Sequence, residues 1–388
     1  MPSRGFDAVE RWFIRRGLPH FIDDYSATTD VWTRALPVLV IAYVGLALLG
    51  LDVDWSWAQN LAALAGIIAI LVATWMLANV ARGRPARARP TAIGPVELAV
   101  FVIAPALPSL LFGGQSGDAL KAVVGALLVL AVIYVVTSYG IIPMTVWGVG
   151  KIGAQLGSLV TLLARALPLL TIFVTFLFLT AEVWQTLGVL YGWAYWICLG
   201  GFLFVGTLFL LMRMPGDVAD LSTFTSWDEV EALAASTPAA ALPVPEGRPV
   251  EPPLSRRQWA NVVLVLLLSQ GVQILLVSAI VGAYCVAFGF LAVPASTVAT
   301  WTGAGSPNVL FTAHLGGREL VVTEPLLRVA GFLAVFAGLN FAIYLVTDAT
   351  FRKEFRDEVV GEVRQAFAVR ELYLADRAPH RSRVAPVS

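Results

Sequence analysis

Apolar residues run in long stretches along this chain, separated by short polar connections. Eight runs have the character of membrane spans, at about 36–50, 57–80, 94–113, 119–141, 166–187, 190–213, 260–291 and 326–349. A crossing helix needs roughly 20 apolar residues, and the first run is at the short end of that range. The seventh is long: at ~1.5 Å per residue it exceeds a hydrocarbon core of ~30 Å. It must tilt, protrude or break, with Gly282 and Gly289 as the weak points.

The polar connections carry patterns of their own. Residues 6–17 read as a short amphipathic helix, with Phe6, Val9, Trp12, Phe13 and Ile14 on one side and charges on the other. Gly17 and Pro19 end it, and such a helix is expected to lie flat at a membrane surface. The connector 142–164 reads as a second interfacial helix. In the insertion 215–258, Ser226-Trp227-Asp228-Glu229 is a helix-start pattern for one short helix to about Ala235. A Pro/Ala-rich linker follows it. In 293–325, NVLFTAHL and RELVVT flank Gly316-Gly317, a hairpin signal. Beyond the last span, 350–376 continues as a charged amphipathic helix, with Phe351, Phe355, Val359, Val363 and Phe367 at i+4 spacing.

Composition supports the membrane reading. Of 388 residues 58% are hydrophobic and 13% charged, against about 25% charged in an ordinary soluble domain. Formal net charge is zero, so nucleic-acid binding has no electrostatic support. Arg82, Arg84, Arg87 and Arg89 follow span two, Arg213 follows span six, Arg256 and Arg257 precede span seven, and Arg352 and Lys353 follow span eight. The alternate loops 51–57 and 113–118 have no basic residue. The positive-inside rule then places both termini in the cytoplasm. Arginine dominating lysine, with many Ala, Val, Leu and Gly, points to a bacterial plasma membrane. The partners expected are the bilayer and either a second copy or a cytoplasmic protein.

Two short echoes suggest internal duplication. Arg34-Ala35-Leu36-Pro37 is repeated at Arg165-Ala166-Leu167-Pro168, and 133–138 (IYVVTS) resembles 343–348 (IYLVTD). Spans one to four would then match spans five to eight, entering from the same side as a parallel repeat. Chance in a biased composition produces echoes of the same kind. The fold class expected is all-α: a polytopic bundle of eight transmembrane helices, with interfacial amphipathic helices and a small extracytoplasmic β-hairpin. Its divisions are an N-terminal segment 1–34, a first half 35–141, a connector 142–164, a second half 165–349 and a cytoplasmic helix and tail 350–388.

Charge inside a bilayer costs about 2.5–3.5 kcal/mol on insertion scales, so each polar residue in a span needs a reason. Glu182 lies late in span five, after Thr171, Thr175 and Thr180. It reads either as a cation or proton site on a wet path or as an interfacial carboxylate. Gln270 and Gln273 are one turn apart in span seven, Asn340 is mid-depth in span eight, and Tyr134, Thr137 and Ser138 are in span four. These read either as the lining of a path near the interface of two halves or as interhelical hydrogen-bonding groups, which contribute about 0.6 kcal/mol each. His20 and His314 read as exposed loop histidines. Cys198 and Cys285 read as small core residues. No metal-ligand spacing, phosphate loop or nucleophile motif is present, so neither cofactor nor enzyme activity is expected.

The run Arg15–Tyr25 (RRGLPHFIDDY), with RALPLLTIFVTFLFLTAEVWQ at 165–185 and VTDATFRKEF at 346–355, resembles a family of actinobacterial multipass membrane proteins. The resemblance covers most of the chain and implies a bacterial source, with no activity attached. The reading that follows is a channel or transporter for a small solute or ion, lined by Glu182, Gln270, Gln273, Asn340, Tyr134 and Thr137. The alternative is a membrane scaffold that meets cytoplasmic partners through its C-terminal helix.

Overall fold

The structure is a computed structural model that describes residues 3–23, 25–26, 30–52, 54–111, 116–147, 150, 171–249, 252–303, 305–347 and 361–377. The second RALP motif, nearly all of the 142–164 connector and the start of the C-terminal helix lie outside these residues. The chain divides into two compact units, Glu10–Met144 and Met1–Val9 with Thr145–Ser388.

The N-terminal helix α1 (Ser3–Arg15) forms as its amphipathic pattern predicts. Gly17 ends it at φ 73°, where a Cβ would stand 2.7 Å from Met144 Cβ. Only glycine accepts both that conformation and that approach. Phe13 is fully buried and meets Phe21 edge-on at 5.6 Å. This part of the apolar face is therefore covered by protein.

The unit 10–144 contains α2 (Leu36–Leu49), α3 (Trp57–Ala81), α4 (Pro95–Leu111, with a 3-10 turn at Ala104–Ala106) and α5 (Ser116–Ser138). Its core gathers Leu39, Tyr43, Ile67, Phe101, Ala126 and Leu130. The Tyr43 hydroxyl donates to the Ile67 carbonyl at 3.0 Å, tying α2 to α3. Ser56 caps α3 in a reciprocal box with Gln59. The arginine loop after α3 is firmly folded. Asn79, itself buried, donates to Ala86 O and Ala88 O, and Trp75 Nε1 donates to Ala88 O. Arg82 donates to Ala92 O and pairs with Glu97, which also accepts the Gly94 N–H.

In the unit 145–388, helix α6 (described over 171–178) is followed by α7 (Ala181–Leu187) and α8 (Gly192–Ser222). Then come α9 (Trp227–Ala234), α10 (Arg256–Ala292), α11 (Ala295–Thr302), strands β1 (Val309–Leu315) and β2 (Arg318–Thr323), α12 (Glu324–Thr347) and α13 (361–377). The hairpin has the expected limits. Gly316 and Gly317 take φ 58° and 77°, which the two-residue turn requires.

Five helices are long and apolar enough to cross a membrane: Trp57–Ala81, Ser116–Ser138, Gly192–Ser222, Arg256–Ala292 and the first 21 residues of α12. They make this a membrane protein by length and composition. Three of the eight expected spans differ. α2 has 14 residues, about 21 Å, and α4 is interrupted by its 3-10 turn. The expected span 166–187 is two helices among the described residues. Its break comes at Thr180, in extended conformation. Trp184 folds back so that Nε1 donates to Phe178 O at 2.6 Å, and this replaces helix continuity.

α10 does not break at its glycines. It is one helix of 37 residues, because those glycines are contact points. A Cβ on Gly282 would meet Ala334 at 3.1 Å, and one on Gly289 would overlap Leu326 and Phe178. Gly338 on α12 likewise receives Ser278, and Gly331 receives the Tyr195 hydroxyl. Small residues let the two backbones approach closely, the usual basis of helix pairing in lipid. The excess length of α10 is a protrusion: Asn261, Val262, Val263, Val265 and Leu266 are buried in protein near its start. α8 also overruns its expected end, passing through Pro215, because Met214, Val218 and Leu221 are buried. Tertiary burial outweighs the lost hydrogen bond of a helical proline.

Candidate functional site

Five of the six expected lining residues lie on long apolar helices, and their environments differ. Gln273 is buried on α10. Gln270, one turn away, is half-buried, and its Oε1 is enclosed with no hydrogen-bond partner among the described residues. Such an acceptor is uncommon in a folded interior. Asn340 is half-buried on α12 and donates to its own helix, at Phe336 O, 2.9 Å. The glycine-stitched part of the α10–α12 seam lies on the hairpin side of Gln273, from Ser278 to Gly289.

Glu182 is not inside a span helix. It occupies the first turn of α7, exposed, after the break at Thr180. The short helix presents its N-terminal end to the carboxylate, which suits a negative charge. Thr175 is the better-placed polar group of α6. Its hydroxyl meets the Tyr284 hydroxyl of α10 at 2.8 Å and donates to Thr171 O.

Tyr134 and Thr137 belong to the other unit. Tyr134 lies 5.6 Å from Trp32, ring to ring, and the Thr137 carbonyl accepts from the Tyr25 hydroxyl at 3.5 Å. Tyr25 also meets His20 edge-on at 5.3 Å, with Tyr139 on the same imidazole at 5.1 Å. Burial pushes the Tyr25 hydroxyl up to about 12, opposed by the Arg34 guanidinium and reinforced by Asp30. His20, expected to be exposed, is buried beside Ser138, whose hydroxyl is 3.4 Å from Nε2. The reason is local: the 3-10 turn Pro19–Phe21 folds directly under α5. His314 is exposed on β1, as expected.

Sequence reasoning missed Arg328, within expected span eight. It pairs with Glu324, donates to Gly188 O at 3.3 Å and lies 3.8 Å over the Tyr191 ring. Tyr195 returns a hydrogen bond to Arg328 O. This cation binds α12 to the α7–α8 connection. The i,i+4 pair Glu324–Arg328 at a span start was the available signal.

A second missed constellation involves α13. Val363, Ala366, Phe367, Val369, Leu372 and Tyr373 are all buried, and so are Arg370 and Glu371. Arg364 pairs with Glu229 and donates to the carbonyls of Asp220 and Thr223. Gln365 donates to Leu233 O and Ser236 Oγ, and Arg370 to Pro252 O. The C-terminal helix is therefore enclosed by the 215–258 insertion and the start of α10. The insertion holds the expected helix capped by Ser226, whose hydroxyl accepts from Glu229 N–H. The Glu229 carboxylate reaches Thr225 N–H instead of completing the box.

Among the described residues no group of three His, Cys, Asp or Glu side chains is arranged to hold a metal ion. Comparison with family models, with curated proteins and with solved structures gives no match. The functional reading therefore rests on geometry.

Proposed function

We propose that this chain is a non-enzymatic protein of the bacterial plasma membrane that passes a small solute or ion through its helical bundle. In this reading it crosses the bilayer eight times with both termini in the cytoplasm. The Gln270–Gln273 face of α10 is the polar contact for the solute, and Glu182 is an acidic group at the outer end. The observation that carries the reading is the enclosed Oε1 of Gln270, which has no hydrogen-bond partner among the described residues. An acceptor at mid-length of an apolar helix is costly when dry and is satisfied by a passing water or solute. Each unit also holds four apolar segments, which accords with two four-helix halves. For the scaffold alternative, most apolar residues of 361–377 are buried within the chain, while Phe351, Phe355 and Val359 lie outside the described residues.

The test is water access. In a background with Cys198 and Cys285 replaced by Ala, Gln270→Cys and Gln273→Cys are exposed to a charged methanethiosulfonate reagent in reconstituted vesicles. Labelling of either position supports a hydrated route, whereas two inert cysteines in folded protein overturn it. Proton and potassium flux into dye-loaded liposomes then separates the ions from neutral solutes.

A further inference from the structure

The unit 10–144 carries a cleft of about 370 Å³ between α2, α3 and α4. That is within the roughly 300–1,000 Å³ range of small-molecule sites. Its walls are apolar, formed by Leu36, Leu39, Leu71, Ile93, Leu98 and Phe101. Val40 and Val72, which also line it, are each 42% exposed, so the cleft opens on the apolar surface of the unit.

One end is different in kind. Arg82, Arg89, Asn79 and Glu97 reach the cleft there. The Asn79 amide is held by loop carbonyls, and Glu97 is held by Arg82 and the Gly94 N–H. Arg89 is exposed, and its guanidinium has no carboxylate partner among the described residues. Arg84 only braces the loop, by donating to Arg89 O and Thr91 Oγ1. From Arg82 to Val96 the sequence has no acidic residue. The cleft is thus a greasy slot whose one polar end carries net positive charge on a braced loop.

We infer that this cleft holds an acyl chain of an anionic phospholipid, with the lipid phosphate at Arg89. The apolar walls and lateral opening select a chain that arrives from the bilayer. The surplus guanidinium selects a headgroup with net negative charge, as basic sites beside membrane helices do. Arg82 and Glu97 fix the depth of the slot, and Arg89 supplies the charge contact. This site is separate from Gln270 and does not depend on any solute passing through the protein.

The experiment is native mass spectrometry of the full-length protein in detergent, with dioleoyl phosphatidylglycerol or dioleoyl phosphatidylcholine added. Wild type should retain the anionic lipid about fivefold better, the effect of one arginine near an anionic group. Arg89→Gln should erase that preference at unchanged melting temperature, and Arg89→Lys should keep most of it. Val72→Trp, which fills the lateral opening, should reduce retention of both lipids with Arg89 intact. Equal retention of the two lipids by wild type overturns the proposal, and so does an undiminished preference in Arg89→Gln. Full displacement of the anionic lipid by inorganic phosphate overturns it too, since the headgroup alone would then be what is held.

Discussion

Arg364 on the C-terminal helix is ion-paired with Glu229 in the 215–258 insertion, 135 residues earlier in the chain. The same guanidinium takes the carbonyls of Asp220 and Thr223, at the end of α8. Both side chains are about one-third exposed, so the pair alone contributes only about 0.2–1 kcal/mol. The apolar burial around it contributes more. Phe367→Ala should cost about 3–5 kcal/mol, read as loss of amide-exchange protection across 361–377. Arg364→Ala should cost far less, and equal effects would show that the apolar contacts are not the dominant hold.

This clasp has a pH dependence of known sign. The Thr225 N–H, and after it Arg364, hold the Glu229 carboxyl below its ordinary value of 4.5. A lowered carboxylate contributes stability above its unfolded value, and that contribution is lost as pH falls through the folded one. Exchange protection of 361–377 should hold from neutral pH to about 4.5 and weaken below it. In Glu229→Gln the acid step should shrink, and a mutant with the wild-type profile would assign the step to another group.

The α10–α12 seam should be intolerant of bulk at specific places. Gly289→Val drives carbon into Leu326 and Phe178, and overpacking of this kind costs about 1–3 kcal/mol. On the same helix, a Cβ added at Gly271 would meet nothing within 4 Å. Gly271→Ala should leave the melting temperature in detergent unchanged. If both changes are equally mild, the seam is looser than its geometry indicates.

Arg328 should not be replaceable by lysine without loss. Its planar group stacks on Tyr191 while donating to Gly188 O and pairing with Glu324. Lysine keeps the charge and loses the fork. Arg328→Lys should destabilise the protein, read as melting temperature, by an intermediate amount and Arg328→Ala by more, with about 0.5–1 kcal/mol of the loss coming from the cation–π contact on the exposed Tyr191 ring. A lysine variant as stable as wild type would reduce Arg328 to a point charge.

Asn340→Leu, by contrast, removes only a bond to its own helix at Phe336 O and should cost about 0.6 kcal/mol or less. A large loss of stability in that variant would show that Asn340 also holds a neighbouring helix.

The elements legible in the sequence are those with local causes. The hairpin needed two glycines at positive φ between β-prone runs, and residues 309–323 supply both. Ser226 needed only a helix of eight residues after it. The misread features have distant causes. Gly282 and Gly289 look like helix breakers until α12 is laid against them. Pro215 looks like a terminus until Val218 and Leu221 are seen to be buried. Glu182 counts as part of span five until Trp184 turns the chain at Thr180. Arg82 to Arg89 carry a topology signal in sequence, but their role as a braced loop depends on Asn79, Trp75 and Glu97, which bear no motif.

α10 is a single rod of about 55 Å. Its hairpin end is stitched to α12 at Gly282 and Gly289, and its first turns sit among buried side chains near Arg370. Such a rod has no internal joint to absorb displacement. A rocking of roughly 5° at the hairpin end would move the far tip by roughly 5 Å, given that length. Force applied to β1–β2 and force applied to the clasp at Arg364 are therefore two handles on one lever, and events on either face of the bundle should be felt on the other.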